Sequence, residues 1–160
     1  LSTMTFACRS LFIPFIAVCM IIAASTDTRA AMSPSGDMVA IQEYVDAEQL
    51  IIAKDYDGAI PLLNATLKIR PDHANAWNLL GFTHRKLGKF DEAEKYYEAA
   101  LTANPAHTGA LNYMGQLYIQ TGRPAKAKEL LEKLKMTYTS GCSDLTHLEK
   151  AVKEGAAGKY

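Results

Sequence analysis

The sequence predicts an all-α chain built as a stack of helix–turn–helix units. Three observations carry that expectation. Trp77-Asn78-Leu79-Leu80-Gly81 returns 34 residues later as Leu111-Asn112-Tyr113-Met114-Gly115. The same interval separates Pro71 from Pro105, Ala93 from Ala127 and, more loosely, Tyr56 from Phe90. Within one period, Trp77, Leu80, Gly81 and His84 fall at i, i+3, i+4 and i+7, a single helical stripe. A fixed period with helical spacing inside it marks units that lean on their neighbours, not one closed globule.

The elements follow in order. Residues 1–30 read as a secretory signal: Arg9, an apolar run from Leu11 to Ala24, then Thr28-Arg29-Ala30 as a small-x-small exit, with Met4 as the expected start. The run is too short for a permanent span of about 20 residues, and Pro14 interrupts it. Residues 31–39 read as a linker, with Asp37 placed to cap the first helix. The first unit, 40–73, is the most degenerate. Asp55 stands three residues before Gly58 and is expected to cap its second helix, and Pro61 inside that helix is expected to bend or loosen a turn. The second unit, 74–107, closes its first helix at Gly88, where glycine accepts the left-handed conformation. Its second helix starts with Asp91 and Glu92 in favourable position against the helix dipole. The third unit, 108–141, repeats the stop at Gly122 and places Pro124 at a first helical position. Residues 142–155 follow as a capping helix, with Leu145, Leu148 and Val152 on one side and Lys150, Lys153 and Glu154 on the other. Residues 156–160 read as a flexible tail.

Trp77, Leu80, Gly81, Ala93, Tyr97, Ala100 and Pro105 in the second unit resemble the tetratricopeptide repeat (TPR), with His84 where tyrosine is usual. The third unit matches through Leu111, Met114, Gly115, Tyr118 and Ala127, then drifts to Leu131, Leu134 and Thr139. The first keeps Ala47, Leu50, Ala59, Leu63, Thr66 and Pro71. The resemblance implies a right-handed α-solenoid of three antiparallel helix pairs with a capping helix. Gly81 and Gly115, each costing about 1 kcal/mol against alanine in a helix, are expected where two elements approach too closely for a side chain.

Composition excludes several functions. Losing Arg9, Arg29 and Asp27 with the leader takes 17 basic and 17 acidic residues to a net charge of −1, so no basic surplus remains for nucleic acid. Cys8 and Cys19 leave with it, and Cys142 alone cannot form an internal disulfide. The leader directs the chain to a periplasm or the exterior; a membrane is met only through an uncleaved leader. Cys142 at a helix start is a candidate reactive thiol, but His147 five residues on does not face it well. His73 and His107 occupy the same inter-unit turn, which explains their spacing without a metal. His84 is expected as a core histidine with a hydrogen-bond partner. Asp91, Glu92, Glu94 and Glu98 interleave with Lys89 and Lys95 as an exposed, salt-bridged helix face. No catalytic residue, metal site or cofactor is expected.

What remains is binding. In the repeat family, a second stripe on each first helix lines a concave groove that holds polypeptides. Here that stripe comprises Ile41, Tyr44, Glu48, Ile51 and Ile52, then Asn75, Asn78, Phe82, Arg85 and Lys86, then Gly109, Asn112, Gln116, Ile119 and Gln120. Tyr44, Glu48, Asn75, Asn78, Phe82, Arg85, Lys86, Asn112 and Gln116 are the candidate partner-binding residues. Amides suit a peptide backbone, Phe82 and Tyr44 offer apolar anchors, and Arg85 and Lys86 suit a carboxylate. One subset of the family grips chaperone C-termini with lysines and asparagines; its positions here are Tyr44, Glu48, Leu79, Gly109 and Tyr113, so no such binding is expected. Two alternatives stand beside the scaffold reading: a thiol-dependent accessory factor using Cys142, and a self-associating structural protein.

Overall fold

The computed structural model describes residues 34–137 and 142–156. The expected signal peptide, the first part of the linker and the end of the tail lie outside the described residues. Seven α-helices and no strand are present among them: α1 Pro34–Ile52, α2 Tyr56–Ile69, α3 Ala74–Lys86, α4 Phe90–Ala103, α5 Thr108–Gln120, α6 Pro124–Thr137 and α7 Ser143–Ala156. The fold is the all-α, right-handed solenoid that the repeat implies. Helices pair as α1·α2, α3·α4 and α5·α6, each pair meets the next through α2·α3 and α4·α5, and α7 packs on both α5 and α6.

Each pair closes through small residues. Ala47, Ala59, Leu63, Leu67, Ala76 and Leu80 bury together under Trp77, whose ring stacks on Tyr96 with centroids 6.0 Å apart. A second cluster joins Ala93 and Tyr97 to α5, α6 and α7 through Leu111, Leu117, Leu134 and Leu148. Gly81 permits the close approach: a Cβ there would lie 2.6 Å from the Tyr97 ring. Gly115 does the same for a different neighbour, since its added Cβ would strike Leu148 of α7.

The turns between paired helices share one hydrogen-bond pattern. Lys89 N donates to His84 O at 2.9 Å and Arg123 N to Tyr118 O at 2.7 Å, with Gly88 and Gly122 left-handed at φ 76° and 74°. In the first unit Asp55 N donates to Leu50 O at 2.8 Å, and Lys54 holds the left-handed position at φ 62°. The degenerate unit therefore keeps the turn without its glycine. Asp55 caps α2 through Gly58 N at 3.0 Å.

Several local expectations need correction. α1 begins at Pro34, within the segment read as linker, because proline suits the first helical position and the apolar run Met38-Val39-Ala40-Ile41 continues the helix. Glu94 does not pair along its own helix. Its carboxylate reaches Arg123 at 2.7 Å and Lys126 at 3.9 Å, and accepts the Tyr118 hydroxyl at 3.0 Å. Burial alone would raise its pKa, but the bonds from Arg123 and Tyr118 outweigh that and hold it below the usual carboxylate range.

Candidate functional site

The first helices α1, α3 and α5 carry the candidate residues, and the turns preceding α3 and α5 fix where each helix starts. Histidine does this work. His73 Nδ1 accepts Ala76 N at 3.2 Å, and His107 Nδ1 accepts Ala110 N at 3.1 Å, so each ring caps its helix. An accepting Nδ1 leaves Nε2 as the protonated nitrogen, and His107 Nε2 donates to Asn75 Oδ1 at 2.8 Å. Asn75 thereby ties the second unit to the third. Burial lowers the pKa of both rings, and at His73 the Arg70 charge lowers it further. Histidine is not a usual cap, and only the repeated His73/His107 spacing signalled this role in the sequence.

Arg85 sits at the centre of the α3–α5 surface. Its Nη1 donates to Gln120 at 2.9 Å and its Nη2 to Gln116 at 3.4 Å, both across the unit boundary. The guanidinium lies 5.8 Å from the Phe82 ring centre and 5.9 Å from that of Tyr113. Lys86 Nζ stands 5.3 Å from the same Phe82 ring, whose edge also meets Tyr56 at 6.4 Å. Two cations and three aromatic rings thus converge around Phe82. Beneath them, burial raises the pKa of the Tyr97 phenol, with the nearby Arg85 charge pulling the other way.

The remaining candidates divide. Gln116 passes a second bond to Asn112 Oδ1 at 2.8 Å, and Asn112 Nδ2 donates to Asp144 of α7 at 2.9 Å. Asn112 is fully buried, so it is not available at the surface; α7 covers it. Asn78 is also buried, with its amide nitrogen close to Gly109. Of the amides expected to read a backbone, Asn112 is consumed in holding units together and Asn78 is buried with its Oδ1 without a partner among the described residues, whereas the exposed Asn75 and the half-buried Gln116 reach the surface while also bridging units. The Tyr44 ring meets His73 at a 31° tilt with centroids 4.8 Å apart, and burial together with the Glu48 carboxylate raises its pKa. Tyr44 and Glu48 lie on α1, apart from the Phe82 cluster.

His84 is a buried core histidine, its Nδ1 2.9 Å from Leu80 O and its ring 4.7 Å from Tyr96. Cys142 is half-buried ahead of α7, and His147 is exposed. Among the described residues no three His, Cys, Asp or Glu side chains gather as a metal site, and no helix is long and apolar enough to cross a membrane.

Two family models, both described as tetratricopeptide repeat, match residues 47–106 and 84–141. This chain carries tetratricopeptide repeats. Its repeats resemble the TPR2B domain of yeast Sti1 in a pHsp70 complex, with a TM-score of 0.70 and 18% identity over 76% of this chain and 98% of that one. They also resemble the first TPR of Spaghetti (RPAP3) bound to the HSP90 peptide SRMEEVD, with a TM-score of 0.66 and 18% identity over 75% and 95%. At such identities the likeness is one of fold. Among curated relatives, the uncharacterized protein ycf37 of Pyropia yezoensis is 36% identical over 61 residues, 38% of this chain and 34% of that protein. The tetratricopeptide repeat-containing protein trd-1 of Caenorhabditis elegans is 31% identical over 90 residues, 56% of this chain and 12% of that protein. The chain spans about a third or less of the length of these relatives. The repeats indicate a protein–protein interaction scaffold, and no enzyme family is indicated.

Proposed function

We propose that this chain is a non-catalytic module, exported by its leader to a periplasm or the exterior, that holds a partner polypeptide along the concave face of α1, α3 and α5. The observation that carries the reading is the Phe82 cluster. Arg85 is already oriented by Gln116 and Gln120, yet a guanidinium has five N–H donors and these two bonds use only part of them. A carboxylate arriving beside Phe82 meets Arg85 and Lys86 together, while an apolar neighbour in the partner packs on the Phe82 and Tyr113 rings, 5.2 Å apart. The preferred partner segment therefore pairs an acidic residue with an apolar one. The clamp positions Tyr44, Glu48, Leu79, Gly109 and Tyr113 carry no cation, so a chaperone C-terminal carboxylate has no seat of the family kind.

The test is mild crosslinking in the native compartment followed by purification through this chain. A partner recovered with wild type and weakened by Phe82→Ala or Arg85→Ala, with helix content unchanged, supports the reading. Recovery of the chain alone, or a partner indifferent to both substitutions, overturns it. Fractionation with N-terminal sequencing addresses the compartment: a mature start at Ala31 in an exported fraction is expected, and a leader retained on intracellular chain contradicts export.

A further inference from the structure

The helices that open a new pair begin differently from those that close one. α2 is capped by Asp55 and α4 makes no side-chain cap bond, whereas α3 and α5, each just past a unit boundary, are capped by His73 and His107. Each of these rings also touches the first helix of the unit before it. His73 lies against the Tyr44 ring of α1 with centroids 4.8 Å apart, and His107 Nε2 donates to Asn75 Oδ1 of α3 at 2.8 Å. One imidazole at each boundary therefore starts a helix and fastens it to its predecessor.

The cap requires the neutral ring. Nδ1 must offer a lone pair to Ala76 N or Ala110 N, at 3.2 and 3.1 Å. Once protonated, it carries a hydrogen that faces the amide hydrogen, and an imidazolium at a helix N-terminus opposes the helix dipole. The ring is rigid, so it cannot turn Nδ1 away from the amide and leave its other edge in place. Relieving the clash carries His107 Nε2 off Asn75 and the His73 ring off Tyr44. Burial is the largest influence on both rings and lowers their pKa, joined at His73 by the Arg70 charge. Asp72 and Glu48 of α1 pull the other way at His73, as does Asp144 of α7 at His107, although that carboxylate already accepts Asn112 Nδ2 at 2.9 Å. Burial prevails, so protonation is resisted while the caps hold and proceeds as they open.

We infer that the two capping histidines are acid-released fasteners: in mild acid the first turns of α3 and α5 part from the preceding unit, and the solenoid slackens at both boundaries. A partner held along α1, α3 and α5 loses its rigid seat in the same step. That consequence rests on the groove reading, whereas the parting of the units does not.

The test therefore uses the full chain with no partner present. Amide hydrogen exchange is followed by NMR between about pH 7.5 and 5 and expressed as protection relative to the unfolded chain at each pH. Protection of Ala76, Ala110 and their first turns should fall roughly tenfold more than that of α2, α4 and α6. Emission from Trp77, the one tryptophan, should change over the same interval, because its indole N–H donates at 2.8 Å to Pro71 O in the turn that carries His73. His73→Asn/His107→Asn, which keeps capping oxygens, should abolish both responses, and each single variant should silence its own boundary alone. His147→Gln, at an exposed position of α7, should leave both intact. Protection that stays constant across the interval overturns the inference. So does a double variant that still responds, or a loss of protection spread evenly over all the helices.

Discussion

Lys54 is the residue whose replacement tests the repeat logic most directly. It holds, at φ 62°, the position that Gly88 and Gly122 hold at 76° and 74°, and all three turns make the same backbone bonds. A side chain in the left-handed region costs about 1–2 kcal/mol. Lys54 is exposed and makes no ion pair among the described residues, so its removal forfeits no ion pair there. Glycine gives back roughly 0.5–1 kcal/mol through the freedom of the unfolded chain. Lys54→Gly should therefore stabilise the first unit by about 0.5–1 kcal/mol. Lys54→Ala, which keeps a Cβ, should change little. Urea unfolding measures the gain as a raised midpoint at constant slope. Hydrogen exchange should place it in the amides of α1 and α2, since repeat stability is a sum of units and their interfaces. A lower midpoint for Lys54→Gly, or an equal gain from Lys54→Ala, would refute the assignment of strain to this turn.

Other outcomes follow from the same geometry. Gly81→Ala should cost about 1–3 kcal/mol in thermal or urea unfolding, because its Cβ meets the Tyr97 ring at 2.6 Å. Glu94→Gln should cost about 1–2 kcal/mol through the charged bond to Arg123, whose side chain is itself partly solvated. In wild type this contribution is full above the ordinary glutamate pKa of 4.5 and fades as pH falls through the lowered folded value. His73 and His107 act in the same sense at higher pH. Their folded rings bind protons more weakly than unfolded histidine, so the unfolded chain protonates first as pH falls below 6.5. Stability is then complete above 6.5 and declines toward the folded value. A His73→Asn/His107→Asn double variant, which retains capping oxygens, should flatten that slope in stability measured between pH 5 and 8.

The architecture was legible because packing writes itself at a period. Trp77, Leu80, Gly81, Ala93 and Ala100 are each demanded by a neighbour at fixed helical spacing, so the repeat announces them. Features depending on one specific meeting were not legible. Nothing local says that Glu94 meets Arg123 from the next turn, that Leu148 rather than an α6 residue fills the space over Gly115, or that Asp144 covers Asn112. The start of α1 was obscured because Pro34-Ser35-Gly36 carries linker composition while serving as a helix entry. In the candidate groove, spacing found Phe82, Arg85 and Lys86 together. It could not tell that Asn78 and Asn112 face inward, since an amide on a stripe looks the same whether it greets solvent or a neighbouring helix.

The bonds from Arg85 to Gln116 and Gln120, and from His107 to Asn75, have a consequence for recognition. They span the seam between successive pairs, so the jaw between α3 and α5 is set before any guest arrives. The ordering penalty of capture then falls on the guest alone. Stiffening a guest into its docked shape should sharpen capture, while further bracing of the host should add little.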